Sequence, residues 1–343
     1  MTRIRVLIVD DSAFARKVIR EVLSQDPEID VVGIARDGLE ALEKVPELRP
    51  DVITLDLLMP DLDGLGFLRA LPKENAPRVI VVSASPSDSD LAIEALQSGA
   101  IDLVTKPTPL PTNRLYDMSA DLVRKVKTAA LARPRTGVSA SPSQSPALPN
   151  LPATAQIVVV GTSTGGPQAL TSLFKALPAN LPVPLVIALH IPAGYTAPLA
   201  ARLSKLGQIP VDEAADGMEI MPGRAVVAAG GLHLRVRKRG EKFFAEVSRL
   251  PIEAIHHPSV DILFESAAQA AGSGVIAIVM TGMGSDGFLG TKAIREVGGR
   301  VLAESASSCV VFGMPRCVIE GGTANFEAVL DELPALLVDQ IYK

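Results

Sequence analysis

The first feature of this 343-residue sequence with chemical potential is a serine between two glycines, directly after an apolar run. Residues 157–165, IVVVGTSTG, place Ser163 in a Gly-x-Ser-x-Gly pattern, and Gly166-Pro167 then opens a helix pattern. A strand that turns sharply into a helix exposes such a serine as a nucleophile, and the helix N-terminus favours developing negative charge. The serine needs a base, and the chain has only four histidines: His190, His233, His256 and His257. His190 ends the apolar run PLVIALH, which brings it to the same sheet edge as Ser163. His233 falls inside an alternating pattern and reads as a surface or structural residue, and His256 and His257 sit in a loop before Pro258, where either could line a cleft although neither is tied to a strand end. A carboxylate that orients the imidazole completes such a relay. Asp286 follows the run GVIAIVM in the loop TGMGSDG, on that same edge, although it could also serve only as a helix cap. A phosphate-cradling loop is the rival reading of the glycines, but neither G-x-G-x-x-G nor Gly-Lys-Ser/Thr is present here.

A second set of reactive residues lies in the first third. Asp10 and Asp11 follow the first apolar run, Asp56 the third, Ser83 the fourth, and Lys106, before Pro107, the fifth. Three carboxylates gathered at one edge repel one another and suit a hard divalent cation such as Mg²⁺. With a hydroxyl and an ammonium beside them, they can move a phosphoryl group onto a carboxylate.

These residues need parallel sheets to carry them. RIRVLIV, IDVVGIA, DVITLD, PRVIVVS and AIDLVT read as five strands, and FARKVIREVLSQ, LEALEKVPEL and DLAIEALQSG as helices between them. Strand–helix alternation implies a doubly wound parallel sheet with its ligands at the carboxyl ends of the strands. Residues from about Arg133 to Pro152 hold five prolines and four serines and no acid, and read as an extended linker. IVVVG, PLVIALH and GVIAIVMTG then predict a second parallel sheet, with RAVVAAGGLHLRVRK and KFFAEVS as an antiparallel hairpin or meander. The expected fold class is α/β, with two doubly wound, mostly parallel-sheet domains: a flavodoxin-like first and a Rossmann-like second carrying the hairpin.

Composition narrows the function. Aromatics make up 3% and Trp is absent, which argues against base-stacking nucleic-acid platforms. No apolar run reaches the length of a membrane helix, and the start MTRIRVLIVDD is unlike a signal peptide. Two cysteines, Cys309 and Cys317, make neither a disulfide framework nor a four-ligand zinc site; their apolar neighbours favour packing over a redox pair. A reduced, cytoplasmic protein is expected. Residues 1–121 carry 21 acids and 13 bases, whereas residues 122–211 carry eight bases and no acid. That asymmetry suggests a cationic surface for an acidic partner, bearing Lys175, Arg202 and Lys205, of which Arg202 and Lys205 follow His190 closely enough to lie beside its edge.

Residues 1–122 resemble the receiver domain of two-component response regulators in Asp10-Asp11, Asp56 with Met59-Pro60, Ser83 and Lys106-Pro107. Leu103 departs from the resemblance, standing where many receivers have a switch aromatic. Residues 155–343 resemble the catalytic domain of the chemotaxis protein-glutamate methylesterases (CheB type) in GTSTGG, HIPAGY, HHPSVD, TGMGSDG and SSCVVFGMP. Thr162, Ser285 and His257 stand where Ala, Asn and Arg are frequent. The chain order Ser, His, Asp also differs from the Ser, acid, His order of α/β-hydrolases.

The resemblance implies that Asp56 accepts a phosphoryl group from a chemotaxis histidine kinase. Asp11, Asp56 and the Leu58 backbone carbonyl would hold Mg²⁺, with Asp10 assisting and Ser83 and Lys106 in support. It further implies that Ser163, His190 and Asp286 hydrolyse glutamate methyl esters on methyl-accepting chemoreceptor helices, with Thr164 and Met283 N–H groups as the oxyanion hole. Selected glutamines would be deamidated. No cofactor is expected for the hydrolysis, nor nucleic acid or membrane insertion. The receiver (1–122) would cover the cleft until phosphorylated, with a linker at 123–154. A DNA-binding output would need a basic domain, yet residues 212–343 carry 17 acids and 12 bases. An adaptor that has lost turnover keeps the same fold and differs only by assay.

Overall fold

The structure, a computed structural model, describes residues 3–72, 75–83, 88–106, 113–132 and 145–343, without the side chains of 113–118. Pro107 and most of the Pro/Ser-rich stretch lie outside the described residues. The chain divides into two compact units, 1–132 and 133–343.

In the first unit β1 (Ile4–Val9), α1 (Ala13–Leu23), β2 (Ile29–Ala35), α2 (Gly38–Leu48) and β3 (Val52–Leu55) are followed by α3 (Gly64–Ala70), β4 (Arg78–Ser83), α4 (Ser89–Gln97), β5 (Asp102–Thr105) and α5 (Asn113–Leu131). The five strands are parallel in the order β2-β1-β3-β4-β5, so the direction of winding reverses between β1 and β3. The inner residues of β1, β3, β4 and β5 are buried and, apart from Thr54, aliphatic, as strands covered on both faces require, whereas the edge strand β2 is partly exposed. Side chains set the helix starts: Ser12 accepts the Ala15 N–H, Asp37 the Glu40 N–H and Asp63 the Gly66 N–H.

The last helix differs from expectation. α5 runs past residue 122 to Leu131, because its inward face carries Leu122, Val126 and Ala129 into the core. Lys125 on that face is buried, pairs with Asp102 at 2.9 Å and donates to the Leu103 carbonyl at 2.6 Å. Arg124 pairs with Asp121, and Lys127 with Glu28 at 2.6 Å. Three of the eight bases assigned to an acid-free stretch are thus paired within the first unit.

The second unit contains β6 (Ile157–Thr162), α6 (Gly166–Ala176), β7 (Leu185–Leu189), α7 (Thr196–Leu206), β8 (Val211–Glu213), β9 (Glu219–Ile220), β10 (Ala225–Val227), β11 (His233–Arg239) and β12 (Lys242–Ser248). After these come α8 (Val260–Ala271), β13 (Val275–Val279), α9 (Phe288–Glu296), β14 (Arg300–Glu304), α10 (Met314–Glu320), β15 (Phe326–Ala328) and α11 (Leu333–Ile341). Seven strands form a parallel sheet in the order β15-β14-β13-β6-β7-β10-β8, with the winding reversed between β6 and β13. The antiparallel part is a separate sheet, β11-β12-β9. The run expected to form one hairpin arm is therefore divided: Ala225–Val227 joins the parallel sheet, and only His233–Arg239 pairs with Lys242–Ser248. The chain breaks at Gly230-Gly231. A Cβ on Gly230 would stand 2.6 Å from the Pro192 carbonyl oxygen, and Gly231 has φ +84°. Among the described residues no helix is long and apolar enough to cross a membrane.

Candidate active site and phosphoacceptor pocket

Ser163 follows β6, His190 follows β7 and Asp286 lies in the loop after β13, so the three straddle the reversal between β6 and β13. Crevices at such reversals are where open α/β sheets bind ligands. His190 Nδ1 lies 3.2 Å from Ser163 Oγ, and its Nε2 lies 2.7 Å from Asp286 Oδ2. Asp286 holds the proton on Nε2, which leaves Nδ1 with a lone pair facing the serine. Either imidazole nitrogen can serve as base provided the other is held as donor.

The two glycines of the pattern do different work. Gly165 has φ +80°, and a Cβ there would meet Val310 at 2.7 Å. Gly161 has no left-handed backbone; a Cβ on it would lie 2.2 Å from a Val260 methyl, so its absence lets α8 pack onto β6. That contact matters because α8 holds Asp286. Asp286 Oδ1 accepts the Ser259 hydroxyl at 2.9 Å and the Asp261 N–H at 3.0 Å, and Oδ2 accepts the Val260 N–H at 2.8 Å. Burial raises the affinity of the Asp286 carboxyl for a proton. His190 and the main-chain donors of α8 outweigh burial and hold the group well below the usual carboxylate range. The carboxylate thus caps a helix, but of α8, not the helix that follows it.

The structure gathers more around the imidazole than the sequence reading did. His256 stacks on His190, with ring centroids 3.9 Å apart. His233 is wholly buried, accepts the Ser259 N–H on Nδ1 at 3.2 Å and faces the Pro251 carbonyl with Nε2 at 3.1 Å. Burial lowers its pKa, so it is a neutral structural histidine behind the cap and not a surface residue. Ser259 was missed as well, although Ser-Val-Asp before an apolar run is a helix-start signature.

Two peptide planes near Ser163 are fixed through their carbonyls. The Ser163 carbonyl accepts the Gly166 N–H at 2.7 Å, and the Gly282 carbonyl accepts the N–H groups of Gly313 and Met314 at 3.0 and 2.8 Å. Because a trans peptide points its N–H opposite its C=O, these bonds orient the N–H groups of Thr164 and Met283. The 282 loop also comes close: a Cβ on Gly282 would lie 2.8 Å from Ser163 Cβ.

Lys175 and Lys205 do not reach this edge. They occupy the last turns of α6 and α7, whose first turns lie at the Ser163 and His190 ends. Each helix returns the chain toward the amino ends of the strands, and at 1.5 Å per residue that removes Lys205 by about 13 Å from the start of α7. Arg202 lies one turn earlier on the same returning helix. Of the two bases expected beside His190, Lys205 is thus carried away from that edge. Cys309 is buried as expected, whereas Cys317 is half-buried, its thiol 3.5 Å from the Gly284 carbonyl oxygen.

Asp261 supplies a pH-dependent test of the electrostatics. Burial and the nearby Asp286 charge push its carboxyl up to about 6, although it accepts the Gly290 N–H at 2.7 Å. The folded protein therefore binds this proton more tightly than the unfolded chain, and the stability it brings is lost as pH rises through about 6. Asp261→Asn keeps an acceptor for Gly290 and removes the charge. It should raise the melting temperature at pH 8, by less at pH 5, and have little effect below about pH 4, where the unfolded chain is protonated too; equal shifts at pH 8 and below about pH 4 would contradict this account.

In the first unit the ligand oxygens of Asp10, Asp11 and Asp56 lie within 4.8 Å of one another. Lys106 Nζ lies 2.8 Å from Asp10 and 2.7 Å from Asp56. Burial pushes the Asp56 carboxyl above its usual range and Lys106 pulls against that, while burial of Lys106 is outweighed by its two carboxylates and its pKa rises. Ser83 Oγ is buried with no hydrogen-bond partner among the described residues. An orphan hydroxyl and three converging carboxylates fit a phosphoryl group and a hard cation. Asp56 Oδ1 accepts the Leu57 N–H at 2.8 Å and more weakly that of Leu58 at 3.4 Å, which directs the loop around it.

A carboxylate–lysine pocket on one doubly wound unit and a Ser–His–Asp edge on another define a class: a serine hydrolase, outside the α/β-hydrolase lineage, joined to a response-regulator receiver. The comparisons with known proteins narrow it. Residues 6–118 match the response regulator receiver domain and residues 158–337 match CheB methylesterase. The chain is 56% identical over 97% of its length to protein-glutamate methylesterase/protein-glutamine glutaminase 5 of Myxococcus xanthus, covering 97% of that protein. It is 40% identical over 98% of its length to a protein-glutamate methylesterase/protein-glutamine glutaminase of Thermotoga maritima, covering 98% of that protein. The crystal structure of the Thermotoga maritima CheB methylesterase catalytic domain matches 54% of the chain and 98% of its own, with 39% identity and a TM-score of 0.53. The chain belongs to the CheB methylesterase family.

Proposed function

We propose that the chain is a phosphorylation-activated serine esterase that hydrolyses glutamate methyl esters on methyl-accepting chemoreceptors to glutamate and methanol. The observation that carries this reading is His190 held between Ser163 at 3.2 Å and Asp286 at 2.7 Å. Ser163 Oγ attacks the ester carbonyl as its proton passes to His190 Nδ1. The N–H groups of Thr164 and Met283 receive the oxyanion, each such donor being worth about 3–4 kcal/mol. Collapse expels methoxide, which takes the proton from His190 and leaves as methanol. A water activated by the same nitrogen then cleaves the acyl-serine and frees the glutamate. Receptor glutamine side chains follow the same course with ammonia as the leaving group, in line with the second activity in the relatives' names.

In the receiver, Asp56 takes the phosphoryl group from a chemotaxis histidine kinase, with Lys106 and Ser83 meeting its oxygens. Asp11, Asp56 and the Leu58 carbonyl would hold Mg²⁺ directly and Asp10 indirectly; the ion supplies charge neutralisation there. The decisive experiment measures methanol release from methylated receptor membranes before and after a small phosphodonor with Mg²⁺. Stimulated release supports the reading, and no release under either condition ends it. Asp56→Asn should keep the basal rate and lose the stimulation, because an amide presents no nucleophilic oxygen anion. Undiminished stimulation in that variant would remove Asp56 from the scheme.

A further inference from the structure

Behind Ser163 lies a buried polar network that the mechanism above leaves unused, and its hub is Thr281. The Thr281 carbonyl accepts the Ser163 N–H at 3.0 Å and the Thr162 hydroxyl at 2.7 Å. Its own hydroxyl contacts the carbonyl oxygens of Thr164 at 3.0 Å and Val311 at 3.3 Å, and accepts the Val311 N–H at 3.0 Å. Three consecutive residues of the nucleophile turn therefore hang on one side chain and its peptide. Thr281 itself sits just beyond β13, where the ladder with β14 has ended at the pair Val279–Ala303. Its N–H has lost its strand partner, and Glu304, the next residue of β14, supplies Oε2 as acceptor at 2.8 Å. Glu304 Oε1 accepts the Ser308 hydroxyl at 3.0 Å. Both Thr281 and Glu304 are 0% exposed. In so dry a place an N–H left without an acceptor costs about 1–3 kcal/mol, and the loop would move to avoid it.

We propose that Thr281, tethered through its N–H to Glu304, is the positioning residue that sets the Ser163 turn against His190 and the oxyanion donors. The proposal rests on Ser163 being the nucleophile. Neither Thr281 nor Glu304 touches a reacting atom; they act through the backbone of residues 162–164. The network also gives a use to Thr162, whose hydroxyl adds a bond that an alanine there could not make. The carboxylate is needed as an acceptor and not for its charge. A glutamine at 304 can turn its carbonyl to Thr281 and its amide N–H groups to Ser308 Oγ.

The test uses the full-length protein, a small neutral ester, and a fluorophosphonate that labels active serines. Labelling of the wild type at Ser163 is checked first; its failure would count against the proposed nucleophile and not against the hub alone. Thr281→Val is isosteric but has no hydroxyl. It should lower kcat and the labelling rate by about 10- to 100-fold while KM stays within about twofold, the size expected of a displacement near 1 Å. Thr281→Ser and Glu304→Gln should each stay within about threefold of wild type, and Glu304→Leu should fall as Thr281→Val does. Rates are compared per folded molecule, well below each melting temperature. If Glu304→Leu does not fold, Thr281→Val and Glu304→Gln still decide. Wild-type kcat and labelling in Thr281→Val would overturn the proposal, and so would a Glu304→Gln defect as deep as that of Thr281→Val.

Discussion

Ser163→Ala should abolish ester hydrolysis, with kcat falling by about 10³-fold or more, while the receiver still takes up phosphate from a small donor. The size follows from the role. With no Oγ, His190 has no proton to accept and no acyl-serine forms, so only the oxyanion donors and substrate binding are left to act on a direct attack by water. Groups that act as a unit lose nearly the whole benefit when one is removed, and the residual rate reports the rest of the site. The fold should survive, because Ser163 is tied to its neighbours through main-chain atoms: its N–H to the Thr281 carbonyl at 3.0 Å and its carbonyl to Gly166 at 2.7 Å. Phosphorylation should survive because Asp56 belongs to the other compact unit. Methanol release from methylated receptors and phosphate incorporation are measured on the same preparation. Release near the wild-type rate would remove Ser163 as nucleophile, whereas loss of both activities would point to misfolding.

What was legible in the sequence has a physical logic. Buried parallel strands leave continuous β-branched runs, so all five strands of the first sheet and the three that carry Ser163, His190 and Asp286 could be read directly. Once those strands were placed, the three residues fell on one edge without any knowledge of side-chain contacts. The short helix α3, GLGFLRA, was not read, because seven residues with glycines at the first and third positions carry little periodicity. The division of the run from Ala225 to Arg239 between two sheets was also hidden, since periodicity cannot say which partner a strand will choose. Charge counting misled for a related reason. Lys125 and Lys127 sit in an acid-free stretch of sequence, but their partners Asp102 and Glu28 come from strands and loops far earlier in the chain. The roles of Ser259 and His233 at Asp286 were beyond reach because they depend on how α8 docks on β6, a packing decision made by Gly161 and Val260.

That docking also shapes the second large effect, Asp286→Asn. The Asp286 carboxylate accepts four donors: His190 Nε2–H and the Val260 N–H on Oδ2, the Ser259 hydroxyl and the Asp261 N–H on Oδ1. An amide of the same shape has one acceptor oxygen and turns an NH₂ toward the other pair. If that NH₂ faces His190 it opposes the Val260 N–H and makes Nε2 the acceptor. The imidazole proton then moves to Nδ1, 3.2 Å from Ser163, and the base is lost. With the NH₂ facing Ser259 instead, it opposes the Asp261 N–H; the tautomer is kept, but no charge remains to stabilise the imidazolium. Either arrangement removes transition-state stabilisation. A drop in kcat of about 10²- to 10⁴-fold is expected, the upper end being typical where the wrong tautomer prevails. The pH profile identifies the cause. A wrong tautomer leaves a serine with no base, so the residual rate should keep rising in alkali as hydroxide takes over, where the wild type has levelled off. Stability should fall as well, since either orientation sets an N–H against an N–H at the start of α8. Retention of kcat within about threefold, with an unchanged pH profile, would show that Asp286 only caps α8 and would leave His190 without its orienting partner.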